Sequence, residues 1–142
     1  MKPVLLDIQN LKTSFTSDGL KTMAVDDVSF TVHEGETVGI VGESGSGKSV
    51  TSLSVLGLIE APAGKIEDGK IIFEGKNLLE YTEKEMQKIR GRDISMIFQE
   101  PTTALNPTKI CGEQIAEAIV IHQKKSKAEA MKMAVEMLTL VG

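Results

Sequence analysis

The sequence predicts an α/β fold: a core of parallel strands with helices, a small antiparallel β-subdomain ahead of it, and helices after it. Three observations lead there. An apolar strand, a glycine-rich loop and an apolar helix follow one another over residues 36–59. Three short strands precede them, and two helical patterns, the second opening on a capping box, come last.

The elements follow in order. Leu5 to Leu11 alternates partly, with Leu6 and Ile8 against Asp7 and Gln9, and reads as an opening strand. Phe15 and the turn Thr16-Ser17-Asp18-Gly19 lead to an extended segment over Thr22 to Val25. Val28, Phe30 and Val32 then share one face of a half-buried strand. His33-Glu34-Gly35-Glu36 turns the chain into the β-branched run Thr37-Val38-Gly39-Ile40-Val41. After the loop at 42–49, a helix is expected from about Lys48 to Leu58, and Glu60-Ala61-Pro62-Ala63-Gly64 breaks it. Gly69 to Glu74 is the next strand. Thr82 with Glu85 has the form of a capping box and opens a helix to about Arg90. Asp93 to Phe98 is largely apolar, as a parallel strand covered on both faces would be. It ends at Gln99 in a loop with two prolines. Helices are expected over Gly112 to His122 and from Ser126 to about Leu140, the second opening on a Ser126–Glu129 capping box. The chain stops at Leu140-Val141-Gly142 directly after that helix, which reads as a truncated domain.

Bulk properties narrow the class. The 142 residues have the length of one ordinary domain, and the 41% hydrophobic and 25% charged fractions are those of a globular protein. A net charge of −4 gives no general basic footprint, so nucleic acid is not an expected partner. No apolar run reaches the length of a membrane span. The single cysteine, Cys111, rules out an intrachain disulfide and fits a reducing compartment. His33, His122 and Cys111 show no metal-ligand spacing and read as structural positions.

The chemistry centres on Gly42-Glu43-Ser44-Gly45-Ser46-Gly47-Lys48-Ser49, which fits G-x-x-x-x-G-K-[ST], the loop of P-loop NTPases that wraps nucleotide phosphates. At ordinary residue frequencies a random window matches it roughly once in tens of thousands. Glycines let successive N–H groups curl into one concavity, and the helix behind, beginning through Val50, turns its positive end to the same anion. Lys48 is expected to reach the β- and γ-phosphates, and the Ser49 hydroxyl to ligate Mg²⁺.

The loop, the apolar strand ending in Gln99 and the proline-containing stretch after it together resemble the ATPase domain of ATP-binding cassette (ABC) transporters. Gly42 to Thr51, the block Phe98-Gln99-Glu100-Pro101-Thr102-Thr103-Ala104-Leu105-Asn106-Pro107, and Gly112-Glu113-Gln114-Ile115 look like the ATPase subunits of oligopeptide, dipeptide and nickel importers. The resemblance implies a nucleotide-binding core with its antiparallel β-subdomain, P-loop and Gln loop over 1–109, and the beginning of a helical subdomain over 110–142. It implies ATP and Mg²⁺ as ligands. Gln99, 51 residues after Lys48, would act at the Mg²⁺ and attacking water. Phe15 falls where the family stacks an aromatic on adenine, and Val25 could flank the base or ribose. Implied partners are transmembrane permease subunits, a second ATPase subunit in a homo- or heterodimer and, indirectly, an extracytoplasmic solute-binding protein. The implied location is peripheral, on the cytoplasmic face of the cell membrane.

The family's Leu-Ser-Gly-Gly type signature, catalytic Glu and switch His do not occur in these residues. The resemblance therefore implies an ATP hydrolase as the full-length protein, with this stretch binding nucleotide but inactive alone. Without its later strands, such a stretch is expected to expose a sheet edge and apolar helix faces. Two alternatives stay open. A P-loop kinase of small molecules would need an arginine-rich lid, and arginine occurs only at Arg90 and Arg92. A non-catalytic nucleotide-binding module is the other.

Overall fold

The computed structural model describes residues 2–100 and 104–142. The chain divides into two compact units, Met1–Gln87 and Lys88–Gly142.

The first unit is built on a four-stranded antiparallel sheet. Its strands are β1 (Val4–Ser17), β2 (Leu20–His33), β3 (Gly64–Phe73) and β4 (Lys76–Asn77), in the order β2-β1-β3-β4. Ser17 and Leu20 close the first hairpin around Asp18 and Gly19, whose φ angles of 51° and 77° are the two positive values a type I′ turn requires. The two segments read separately on either side of residues 26–27 are one strand, β2, and the opening strand likewise runs on through Phe15. Each passes through an irregularity instead of ending at it. Asn10, Asp27 and Gly69, one on each of three neighbouring strands, have φ of 49°, 57° and 105°. Asn10 Nδ2 donates to Asp27 Oδ1 at 2.9 Å, and Asn10 N–H donates to Ser29 Oγ at 2.8 Å, so side chains satisfy what the ladder skips.

Helix α1 (Lys48–Val55) lies against β1 and β2. It stops short of the expected Leu58 because Gly57, at φ 61°, closes it. Gly57 N–H donates to Ser54 O at 3.1 Å and Leu58 N–H to Leu53 O at 2.9 Å, the paired bonds of a Schellman motif. Ile8, Leu11, Val25, Val55, Leu56, Ile71 and Phe73 are buried in this unit. Among them lies a polar pair: Ser54 Oγ donates to Val50 O at 2.8 Å and sits 3.0 Å from the fully buried Thr13 hydroxyl. A 3₁₀ turn (Leu78–Glu80) and helix α2 (Glu83–Ile89) follow β4. Glu85 Oε2 accepts from Thr82 N–H at 2.8 Å at the start of α2, as the expected capping box requires.

In the second unit, α3 (Cys111–Gln123) packs on α4 (Lys127–Val141). Ala116, Ile119, Ala130 and Ala134 form the contact, and the alanines let the helices approach closely. Both bonds of the Ser126–Glu129 capping box are present. Met137, Leu138 and Val141, which continue the helical spacing of Ala130 and Ala134, are exposed.

Two expected elements are corrected. Residues 36–41 and 93–98 are in no strand, and the only ladder contact they make among the described residues is an isolated parallel bridge between Arg90 and Ile94. Both runs have strand-forming composition. A parallel strand, however, exists only through neighbours that take its N–H and C=O groups, and the described sheet is antiparallel throughout. Val41 and Ile97 are accordingly 93% and 98% exposed. Strand β3, by contrast, begins five residues before the expected Gly69, because β1 beyond its irregularity offers Thr13, Ser14 and Phe15 as partners for Ile66, Lys65 and Gly64.

Candidate nucleotide site

The loop 42–49 turns on two glycines. Gly45 and Gly47 have φ of 82° and 88°, a region that costs other residues roughly 1–2 kcal/mol. Gly47 is required twice over: a Cβ there would collide with the Ala24 carbonyl oxygen and lie 3.4 Å from Val25 Cγ2. The absence of a side chain thus lets the loop sit directly on β2. Gly42 is also crowded, since a Cβ would come within 2.6 Å of Ser46 Oγ. Ser46 N–H donates to Glu43 O at 3.2 Å and closes the turn between them; Ser44 and Gly45 are exposed at its tip.

Lys48 folds back over this turn. Its ammonium donates to Gly42 O and Glu43 O, each at 2.7 Å, and to Ser46 Oγ at 3.1 Å. Gly47 is the N-cap of α1 and offers no capping side chain, and the first turn carries no acidic residue. The first helical bond is Thr51 N–H to Gly47 O at 2.8 Å, so the amides of Lys48, Ser49 and Val50 stand ahead of the ladder. Positive dipole end, uncapped amides and ammonium converge, which is the donor set an anion such as phosphate requires. Ser49 is exposed in that first turn, where its hydroxyl can meet a cation held by the anion.

Phe15 is half-buried near the end of β1, with Thr22 beside it on β2 and Gly64 on β3. Its strand is tied to α1 by the Thr13–Ser54 bond. The neighbouring Ser14 hydroxyl donates to Glu67 Oε1 at 2.8 Å, and Lys21 and Lys65 lie 3.0 and 3.4 Å from the same carboxylate. That hydrogen bond first, and then the two lysines, push the Glu67 pKa down to about 2. Val25 is 3% exposed and belongs to the seat under Gly47, with no surface to offer a base.

Gln99 lies in the second unit, exposed in a bend, and is described apart from the loop. Pro101, Thr102 and Thr103, in the middle of the second motif block, lie outside the described residues. The third block has a visible structural role. Gln114 accepts from Asn106 N–H at 2.8 Å and donates to Asn106 O and Lys109 O at 3.0 and 3.1 Å, fastening that turn to α3. Among the described residues no cluster suits a metal by itself, and no helix is long and apolar enough to cross a membrane. The sequence reading missed Ala24, whose carbonyl seats the loop, and the Thr13–Ser54 pair, whose members are 41 residues apart and carry no local signal.

Known proteins resemble this chain in sequence and in fold. The oligopeptide transport ATP-binding protein AppD of Bacillus subtilis (strain 168) is 52% identical over 138 residues, covering 97% of this chain and 42% of that protein. The dipeptide transport ATP-binding protein DppD of the same organism is 53% identical, with coverage of 97% and 41%. The chain thus spans about two-fifths of the length of these curated relatives. Among solved structures, the dimeric ABC transporter cassette MJ0796 superposes with a TM-score of 0.76 at 26% identity, over 95% of this chain and 56% of that one. The same cassette in a post-hydrolysis state, bound to ADP and Pi, gives 0.75 at 25% identity over the same shares. The fold is that of an ABC ATPase cassette, in its mixed α/β class with an antiparallel sheet. The family described as ABC transporter matches residues 25–141, from the strand that seats the loop to the last turn of α4, and the chain belongs to that family.

Proposed function

We propose that this chain is the nucleotide-binding portion of an ATP-hydrolysing subunit that powers an importer of peptide or nickel type. The observation that carries the reading is the loop at Gly42–Ser49: a glycine-seated turn, an uncapped helix start and the Lys48 ammonium converge on one anion site. The relatives' names, oligopeptide and dipeptide transport ATP-binding proteins, support the peptide class and disfavour the small-molecule kinase.

In this reading the loop residues Gly42 to Val50 hold the phosphates of ATP through backbone amides. Lys48 neutralises the phosphate charge, Ser49 and Gln99 support Mg²⁺, and Phe15 receives the adenine. ATP supplies the free energy of phosphoryl transfer to water. The residues of this chain bind, orient and neutralise, as electrostatic catalysis of that reaction requires. Residues 1–109 act as the nucleotide-binding core, and 110–142 open the helical subdomain. The partners are permease subunits, met through the loop after Gln99, and a second ATPase subunit. Dimeric cassettes among the solved structures support the second of these. The protein then works peripherally, on the cytoplasmic face of the membrane.

The test is equilibrium binding of Mg·ATP by calorimetry, with and without Lys48→Ala. A charge-assisted hydrogen bond contributes about 1.5–3 kcal/mol, so affinity should fall by tenfold or more. Equal affinity in the two proteins would sink the phosphate assignment.

A further inference from the structure

We propose that Gly64 is a positioning residue for Phe15 and thereby sets the affinity for the nucleotide base, separately from the phosphate loop. The inference rests on Phe15 being the base platform, as proposed above.

Phe15 and Gly64 face each other across the β1–β3 pairing, and Gly64 is buried. A Cβ on residue 64 would lie 2.8 Å from Phe15 Cε1, 2.6 Å from Ile59 Cγ2 and 3.2 Å from the Glu60 carbonyl oxygen. The aromatic side chain therefore crosses into the space that any other residue at 64 would fill. Conformation does not explain the glycine. Gly64 has none of the left-handed φ found at Gly45, Gly47 or Gly69, so alanine can take its backbone without strain. What the position requires is close approach, a strand glycine covered by a cross-strand aromatic.

The surroundings make the placement firm. Gly64 N–H donates to Glu60 O at 2.8 Å and Thr16 N–H to Ala63 O at 2.7 Å, so the turn under the ring is bonded both to itself and to the strand that carries Phe15. Ile59 is half-buried beside it. Phe15 thus lies over Gly64, with Ile59 Cγ2 closing in on the same point above the glycine, and the half-buried ring keeps the rest of its surface for a partner. A base stacks well only on a ring held in one orientation, because offset geometry decides the strength of the contact. The three atoms nearest a Cβ at residue 64 belong to Ile59, Phe15 and Glu60 and not to residues 42–49, so a change there should act on the base and leave the phosphates alone.

The experiment compares Mg·ATP with inorganic tripolyphosphate, which lacks a base, by calorimetry on the full-length protein. Gly64→Ala should weaken ATP about five- to tenfold, the scale of losing one aromatic–base stack, with tripolyphosphate unchanged. Phe15→Ala should match it, and the double variant should lose no more than either single one. If Phe15→Ala weakens ATP and Gly64→Ala does not, the inference about Gly64 is overturned and the platform stands. If Gly64→Ala weakens both ligands equally, its role is general and the inference is also overturned. Phe15→Ala without effect would remove the platform and this inference together, leaving the loop to be judged by Lys48→Ala. Ile59→Ala takes away the Cγ2 that closes in on this point without adding an atom, and serves if Gly64→Ala does not fold. It should weaken ATP about twofold to fivefold with tripolyphosphate unchanged, and no change in ATP affinity would overturn the proposal.

Discussion

The loop at Gly42–Ser49 and the segment that ends at Gln99 are held in different ways. The loop is fastened along its length. Gly47 rests on Ala24 of β2, Lys48 bonds two carbonyls and a hydroxyl, and α1 behind it is closed by Gly57 and tied to β1 through Ser54. The segment 93–99 is anchored at its first residues, by the Arg90–Ile94 bridge and by the Asp93 and Ile94 amides, which donate to Ile89 O at 2.9 and 3.1 Å, and then runs out to Ile97, which is 98% exposed. The loop's shape combines glycine φ angles and local bonds with seats on β2 and β1 that are present in the first unit. A strand forms only where another strand supplies its hydrogen bonds. The loop's supports are therefore present among the described strands, whereas the run that leads to Gln99 has no strand partner in the described sheet.

That contrast can be broken most forcefully at Gly47. Alanine there meets both the left-handed φ of 88° and the Ala24 carbonyl, so a loss of at least about 2 kcal/mol is expected, together with a loss of ATP binding beyond tenfold. Thermal melts and calorimetry on the same sample check both, and a variant that binds and melts like the parent would show that the loop is not seated as described. A smaller effect is expected at Ser54. Ser54→Ala leaves the fully buried Thr13 hydroxyl without its partner, a cost of about 1–3 kcal/mol by urea unfolding. Thr13→Val combined with Ser54→Ala should cost less than the two changes added, and amide exchange over 93–99 should not respond.

Acid gives the finest comparison. The Glu67 pKa is lowered from 4.5 to about 2 in the folded chain, so its contribution is complete above pH 4.5 and is lost as pH falls toward 2. Asp93, lowered from 3.8 chiefly by its hydrogen bond with Arg92, begins to lose its contribution only below that value. Between pH 4.5 and 3.8 Glu67 should therefore lose part of its contribution together with Glu36 and Glu129, which are also lowered from 4.5, while Asp93 keeps its own, and Glu67→Gln should make the dependence shallower there. Melting curves taken across this interval, showing the same slope in parent and variant, would remove Glu67 as the cause.

Much of this was legible in the sequence where the information is local. The Asp18–Gly19 turn, the Ser126–Glu129 box and the loop with its lysine each depend on residue types within a few positions of one another. The early start of β3 was not legible, because Gly64 to Ile66 pair with residues some fifty positions earlier. Nor was the Thr13–Ser54 bond, since two hydroxyls in apolar company look like surface residues until the fold brings them together. Residues 36–41 and 93–98 misled for a related reason: their composition states a preference for strand, and a preference is fulfilled only by a neighbour.

The Lys48 ammonium carries one further consequence. All three of its N–H donors are already engaged, with Gly42 O, Glu43 O and Ser46 Oγ. The side chain works as an internal cross-link that keeps the turn closed before any anion arrives. A phosphate reaching it must take over acceptor positions from the turn's own oxygens, so binding is an exchange of ligands at a fixed cation. Much of the ordering has been done in advance. For the phosphate ligand proposed above, the loop would recover its own bonds when the ligand leaves, so release would leave no donor of Lys48 unpaired.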